Sequence, residues 1–281
     1  MIGVLLALAS AIGYGVSDFV GGIASRRVAA LRVVLVSYPL AMVLLGILAV
    51  IVGGTVSTPA VVWGVLCGVS QAFGVWWFYA ALGAGPISVV SPLTSILVAG
   101  VPVSVGLVLG ERPGVIAGIG IVLALLAVVL VSREATDEDV RPHRFTPTVA
   151  WLTVGSGVAF GLNFVLIHQA PVDARLWPLF FARVSATAIV LLVAAFSGNF
   201  HAPRGFPLQM AVLAALLDTG ANVAMLLALQ ASLLTLASVL MSLYPAATVL
   251  LAIVVLRERV TRWQVVGMVL ALVAVGMIAV H

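Results

Sequence analysis

The chain has 281 residues, 63% hydrophobic and only 8% charged, with a mean hydropathy of +1.29. Globular domains carry roughly a quarter charged residues, so most of this surface must face something other than water, and a polytopic membrane protein is expected. The net charge of +4 comes from 13 basic residues, all arginine and scattered over short loops; this pattern marks membrane topology and headgroup contact, not a nucleic-acid surface.

A hydrocarbon core of roughly 30 Å takes about 20 residues of helix, whereas barrel strands would alternate in segments of about ten. No such alternation occurs; apolar segments run over 2–24, 31–52, 60–82, 86–109, 113–132, 148–169, 177–197, 207–229, 232–256 and 261–280. The predicted fold is all-α with ten transmembrane helices. The first segment has no basic residues before it and is followed by further spans, so it is a helix of the mature chain and not a signal peptide. Breaks are marked by Arg26-Arg27, Gly53-Gly54, Gly83 to Pro86, Glu111-Arg112-Pro113, Pro171 to Arg175, Gly198 to Pro207 and Arg257 to Arg262. The sizeable polar stretch, 133–147, reads as a linker between a first five-helix half (1–132) and a second (148–281). Cys67 is the lone cysteine and lies in an apolar run, which excludes disulfides, cysteine zinc sites and iron–sulfur clusters; no metal or cofactor is expected.

The two halves repeat. At a spacing of 147 residues Ser91 meets Ser238, Ser95 meets Ser242, Gly120 meets Gly267, and the doublet Glu111-Arg112 meets Glu258-Arg259. Alanine and leucine matches come cheaply in such a chain, but an ion-pair-capable doublet in register between apolar runs does not. Five helices per half is an odd number, so the second half enters the membrane in the opposite sense. Inverted repeats of this kind are the architecture of alternating-access transporters. Loop arginines divide ten to two between the sides, with Arg26, Arg27, Arg32, Arg133, Arg141, Arg144, Arg204, Arg257, Arg259 and Arg262 against Arg112 and Arg175. That bias puts the ten in the cytoplasm and both termini outside.

Polar residues within spans are costly and tend to face the bundle interior or a water-filled cavity. They include Tyr14, Ser17 and Asp18 in the first segment, Gln71 in the third, Ser156 and Asn163 in the sixth with His168 near its end, Arg183 in the seventh, and Asp218 and Asn222 in the eighth. Gln71 and Asp218 correspond across the repeat and both lie about 16 Å into their helices, near the midplane where inverted repeats hold substrate. Ser17 corresponds to Asn163, and Ser37 to Arg183. Asp218 has two readings, as a buried counter-ion for Arg183 or as a cavity and coupling residue. Asp18 is either a headgroup-level partner of nearby arginines or a cavity residue, and Gln71 and Asn222 either line the site or tie helices together. Trp76 and Tyr244 are pocket-lining candidates or interfacial aromatics. Pro92, Pro102 and Pro245 fall inside helices, where a freed carbonyl permits a gate hinge or a static kink. The Glu-Arg doublets read as helix-end caps and interfacial anchors.

Leu109-Gly110-Glu111-Arg112 with Gly120, Leu256-Arg257-Glu258-Arg259 with Gly267, Ala228 to Ser232 running on to Leu243-Tyr244-Pro245, and Arg183 in its apolar segment together resemble the EamA-type permeases of the drug/metabolite transporter superfamily. The resemblance covers essentially the whole chain. It implies a secondary transporter that moves small organic metabolites, often outward, through a central cavity. The sequence departs from the family pattern at Arg257, at Ser37 and in the run Gly13 to Asp18. The expected setting is the cytoplasmic membrane of a prokaryote, with the lipid bilayer and a small-molecule substrate as partners, protons as a candidate coupling ion, and a monomer or weak homodimer. An intramembrane enzyme is disfavoured, because Val154-Gly155-Ser156-Gly157 lacks serine-protease spacing and neither a His-x-x-x-His nor a paired-aspartate motif occurs.

Overall fold

The computed structural model describes residues 1–25, 27–84, 87–131, 146–197, 201–256 and 261–279. Arg26, most of the polar linker, and the second doublet, Glu258 with Arg259, lie outside the described residues. Eleven α-helices and one 3-10 turn follow one another: α1 (Ile2–Ser25), α2 (Ala30–Val52), α3 (Thr58–Ala84), α4 (Ile87–Val108), α5 (Val115–Val131), α6 (Pro147–His168), the turn Val172–Ala174, α7 (Trp177–Phe196), α8 (Phe206–Ala231), α9 (Leu234–Met241), α10 (Tyr244–Leu256) and α11 (Arg262–Ala279). Among the described residues, eight stretches are long and apolar enough to cross a membrane, and two shorter apolar helices, Leu93–Val108 and Val115–Val131, accompany them.

The ends follow from local chemistry. Thr146 caps α6 by accepting from the Val149 N–H at 3.3 Å, with Pro147 in the first turn. Thr261 and Gln264 form a reciprocal capping box at the start of α11, at 3.0 and 3.3 Å. One expectation needs correcting. The ninth predicted helix, 232–256, is not continuous but stops at Met241 and restarts at Tyr244. Pro245 has no N–H to offer the carbonyl of Met241, and its ring crowds the preceding turn. Pro92 and Pro102 leave α4 unbroken, as Pro39 leaves α2.

Helices pack in couples. α1 lies on α8 and α3 on α6; α1 meets α9 and α10 where α6 meets α4; α2 packs on α7, and α5 on α11. Lipid is as apolar as leucine, so helices associate through close packing of small residues and interhelical hydrogen bonds. Gly3, Ala7, Ala11 and Gly15, four residues apart, form the buried stripe of α1. A Cβ on Gly15 would lie 2.7 Å from the Tyr244 carbonyl oxygen, and one on Gly161 2.9 Å from that of Leu97, so glycine permits both approaches. Large apolar side chains such as Leu5, Ile12, Leu126, Leu192 and Leu216 point outward.

The loops assort by side. At one end the Arg27 guanidinium lies 4.4 Å from the centre of the Phe206 ring. At the other, Thr55 donates to Asp173 at 2.6 Å and Arg175 donates to the Val52 carbonyl at 2.6 Å. At that same end Glu111 accepts the Leu234 and Thr235 N–H groups at 2.6 and 2.8 Å. It therefore caps not its own helix but α9, in the other half of the chain.

Candidate functional site

The inner face of α7 carries Leu179, Ala182, Arg183, Ala186 and Thr187, all buried. Arg183 is only 2% exposed, and its Nη2 donates to Oδ2 of Asp218 on α8, which retains 22% exposure. The guanidinium carbon sits 4.9 Å from the centre of the Tyr38 ring, contributed by α2. Arg183 Nη1 is buried without a hydrogen-bond partner, as is the Thr187 hydroxyl one turn on. An unsatisfied buried donor is expensive, so the two unpartnered groups set this part of α7 apart from the stapled helix contacts.

Depth follows from the helix registers. On the antiparallel pair α1 and α8, Ser10 donates to the Ala221 carbonyl at 2.9 Å and Ser17 to that of Ala214 at 3.0 Å. Asp218 therefore lies level with Gly13 and Tyr14, and the Tyr14 hydroxyl donates to Met225 Sδ at 3.3 Å. Along α1 one face runs through Ala7, Ala11, Tyr14, Asp18, Gly22 and Ser25. It changes from buried to half-buried at Tyr14 and to exposed from Asp18 onward. Asp18 is exposed and makes no hydrogen bond or ion pair among the described residues. Gln71 lies on the α3 face of Gly64, Cys67 and Gly68, which presses on Pro178 and Ala182 of α7. That register sets Gln71 at the depth of Ser185, ~3 Å along the axis from Arg183. Gln71 has no hydrogen-bond partner among the described residues.

Other predicted site residues are engaged elsewhere. Asn163 Nδ2 donates to the Cys67 carbonyl at 3.1 Å and to its sulfur at 3.0 Å, and Ser17 bonds Ala214; both are staples between helices. Asn222 donates 2.7 Å back to the Asp218 carbonyl and is 5% exposed, so its amide serves its own helix. Trp76 is 54% exposed and shares an outward stripe with Val62, Leu66 and Phe73, on which it stacks; it does not line the interior. Tyr244 and Pro245 open α10 beside Gly15, and Pro102 is buried within α4. Arg112 donates to the carbonyls of Leu107 and Glu111 in its own loop.

The sequence model of the EamA-like transporter family matches residues 1–133 and, a second time, 147–280. The chain belongs to the EamA-like transporter family. It is thus a transporter of the drug/metabolite superfamily and an integral membrane protein. A crystal structure of a protein with 16% sequence identity superposes with a TM-score of 0.78 over 98% of this chain and 94% of that one, which shows a shared fold. No curated protein sequence matches the chain at a significant level.

In this EamA-like chain, two residues beside Arg183 are not among the predicted site residues: Tyr38, which the sequence reads as a lipid-facing or belt aromatic, and Thr187. Tyr38 carried a signal, since it follows Ser37, the repeat counterpart of Arg183. Thr187 carried none, because a threonine in a helix ordinarily bonds the carbonyl four residues back, as Thr219 does to Ala215 at 2.7 Å.

Proposed function

We propose that the protein is a secondary active transporter, working outward, for small organic metabolites such as amino acids or related solutes. It works by alternating access between two inverted five-helix halves, 1–132 and 148–281, joined by the linker 133–147. It resides in the cytoplasmic membrane of a prokaryote with its arginine-rich loops inside the cell. Support for the inversion comes from contacts that exchange under the repeat. Ser17 on the Ala214 carbonyl corresponds to Asn163 on that of Cys67. Likewise Gly15 against the Tyr244 carbonyl corresponds to Gly161 against that of Leu97.

The observation that carries the reading is the buried Arg183–Asp218 pair at mid-depth, with one guanidinium nitrogen unpartnered and the carboxylate still reachable. A pair that served only to close the fold would satisfy both of its members. Here the exposed part of Asp218 can exchange Arg183 for a solute group or a proton, which provides a local event for the two halves to respond to.

Counterflow of labelled amino acids in proteoliposomes tests transport directly; flux without saturation or counterflow would indicate a passive channel instead. The role of the pair is tested by combining Asp218→Asn with Arg183→Gln. Each single change leaves a buried charge or dipole uncompensated and lowers folding yield, whereas the double change removes both. The double variant is expected to fold, bind weakly and lose concentrative transport. Full concentrative transport in it would reduce Asp218 to a counter-ion.

A further inference from the structure

Contacts at backbone level divide the helices into two bodies, and neither body is a half of the chain. In the first, α3 holds α6 and α7. Ser70 donates to the Ala159 carbonyl at 2.6 Å and Ser185 to that of Val65 at 3.1 Å, and a Cβ on Gly64 would stand 2.5 Å from the Pro178 carbonyl oxygen. α4 joins α6 there, since a Cβ on Gly157 would lie 3.0 Å from the Thr94 carbonyl oxygen. In the second body α1 holds α8 through Ser10 and Ser17, and α10 through Thr248, which donates to the Gly15 carbonyl at 3.1 Å. α5 and α11 pair with each other, and α9 lies between the bodies, packed on both α1 and α4. Contacts as close as those within each body fix helices together, because neither partner can slide without a collision of backbones.

The seam between the bodies is different. α7 and α8 meet hardly at all beyond the Arg183–Asp218 pair, so side chains and not helix packing tie them at mid-depth. α2 is gripped by both bodies. Near the arginine-rich end Val33 is buried with Ala24 of α1 and Ala211 of α8. Toward the other end Gly46 lies against the Phe180 ring of α7, and the Val52 carbonyl accepts from Arg175. Between the two grips stands Pro39, which leaves the Leu35 carbonyl without its helical N–H, and a helix bends at least cost at such a point. Tyr38, beside it, lies on Arg183. We infer that access changes by rocking of α3, α4, α6 and α7 against α1, α8 and α10, with α2 flexing at Pro39 and the Arg183–Asp218 pair as the tie that a solute or a proton releases. The inference rests on the alternating access proposed above and names the parts that move, to each of which both halves of the chain contribute.

The test places nitroxide labels on cysteines, in a Cys67→Ala background, at outward-facing positions of both bodies: Val62 on α3 and Trp151 on α6, Leu5 on α1 and Leu213 on α8. Val62 and Leu5 mark the Glu111 end, Trp151 and Leu213 the arginine-rich end. Distances are measured by pulsed electron resonance in liposomes, with and without a mixture of amino acids. The pair Val62 with Trp151 and the pair Leu5 with Leu213 should each keep one distance. Val62 with Leu5 and Trp151 with Leu213 should each show two, one pair lengthening as the other shortens. Rigid halves of the chain would give the reverse, and that result, or a single distance in every pair, overturns the inference. Pro39→Ala should raise Tm and slow counterflow of the amino acids by about fivefold, the Boltzmann factor for one backbone hydrogen bond broken at each swing. Counterflow at the unaltered rate in that variant overturns the part given to α2. Fixed distances in labelled protein that still shows counterflow remove the two bodies and leave transport standing, whereas the expected distances without counterflow do the opposite.

Discussion

Replacing Glu111 by glutamine isolates a contact that joins the two halves of the chain at one membrane face. The carboxylate accepts the first two N–H groups of α9, from Leu234 at 2.6 Å and Thr235 at 2.8 Å. Hydrogen bonds to a charged group contribute about 1.5–3 kcal/mol each, against about 0.5–1.5 for neutral ones, and a negative charge at a helix N-terminus adds roughly 0.5. Glutamine keeps one carbonyl oxygen for one N–H and turns an NH2 toward the other, so the expected loss is about 3 kcal/mol. For a chain of this size that corresponds to a fall of roughly 8 °C in Tm. Gly106→Ala supplies the control, because a Cβ there would meet Glu111 Oε2 at 2.5 Å and Thr235 Cγ2 at 2.7 Å and would push the carboxylate off α9. Both variants and their combination would be followed by thermal unfolding in detergent, with counterflow measured on the folded fraction. The double variant should lose little more than either single one, since both abolish the same contact. An unchanged Tm for Glu111→Gln, or strictly additive losses, would refute the reasoning.

Three further outcomes are expected. Asn163→Ala and Ser17→Ala each remove one interhelical staple and should cost ~1 kcal/mol without altering substrate preference, checked by unfolding midpoint and competition in counterflow. Glu258→Gln, at the repeat position of Glu111, should lower folding yield more than turnover per folded molecule; normal expression with abolished transport would contradict this. Single cysteines at Ser25 and Thr136, introduced into a Cys67→Ala background, should resist an impermeant thiol reagent in intact cells and react after permeabilisation, as the arginine bias requires.

Hydropathy and spacing alone determined most of the architecture. Segment lengths are dictated by bilayer thickness, and helix ends by local residues such as Thr146 with Pro147 or Thr261 with Gln264, so both are legible without the fold. The repeat was legible too, because Glu111-Arg112 and Glu258-Arg259 are improbable in apolar surroundings. The fate of each polar side chain was not, since it depends on what the neighbouring helix offers. Asn163 met a carbonyl and a sulfur on α3 and became a staple, while Asp18 met no partner among the described residues. Prolines divide in the same way. The same missing N–H is absorbed within α2 and α4 but breaks the chain before Pro245, where α9 is held by α4 and Glu111 while α10 is held against Gly15 of α1. Arg183 and Asp218 could be matched by depth from the sequence. That Arg183 would lie across Tyr38 with one nitrogen left free was settled by three helices, α2, α7 and α8, converging on a single guanidinium.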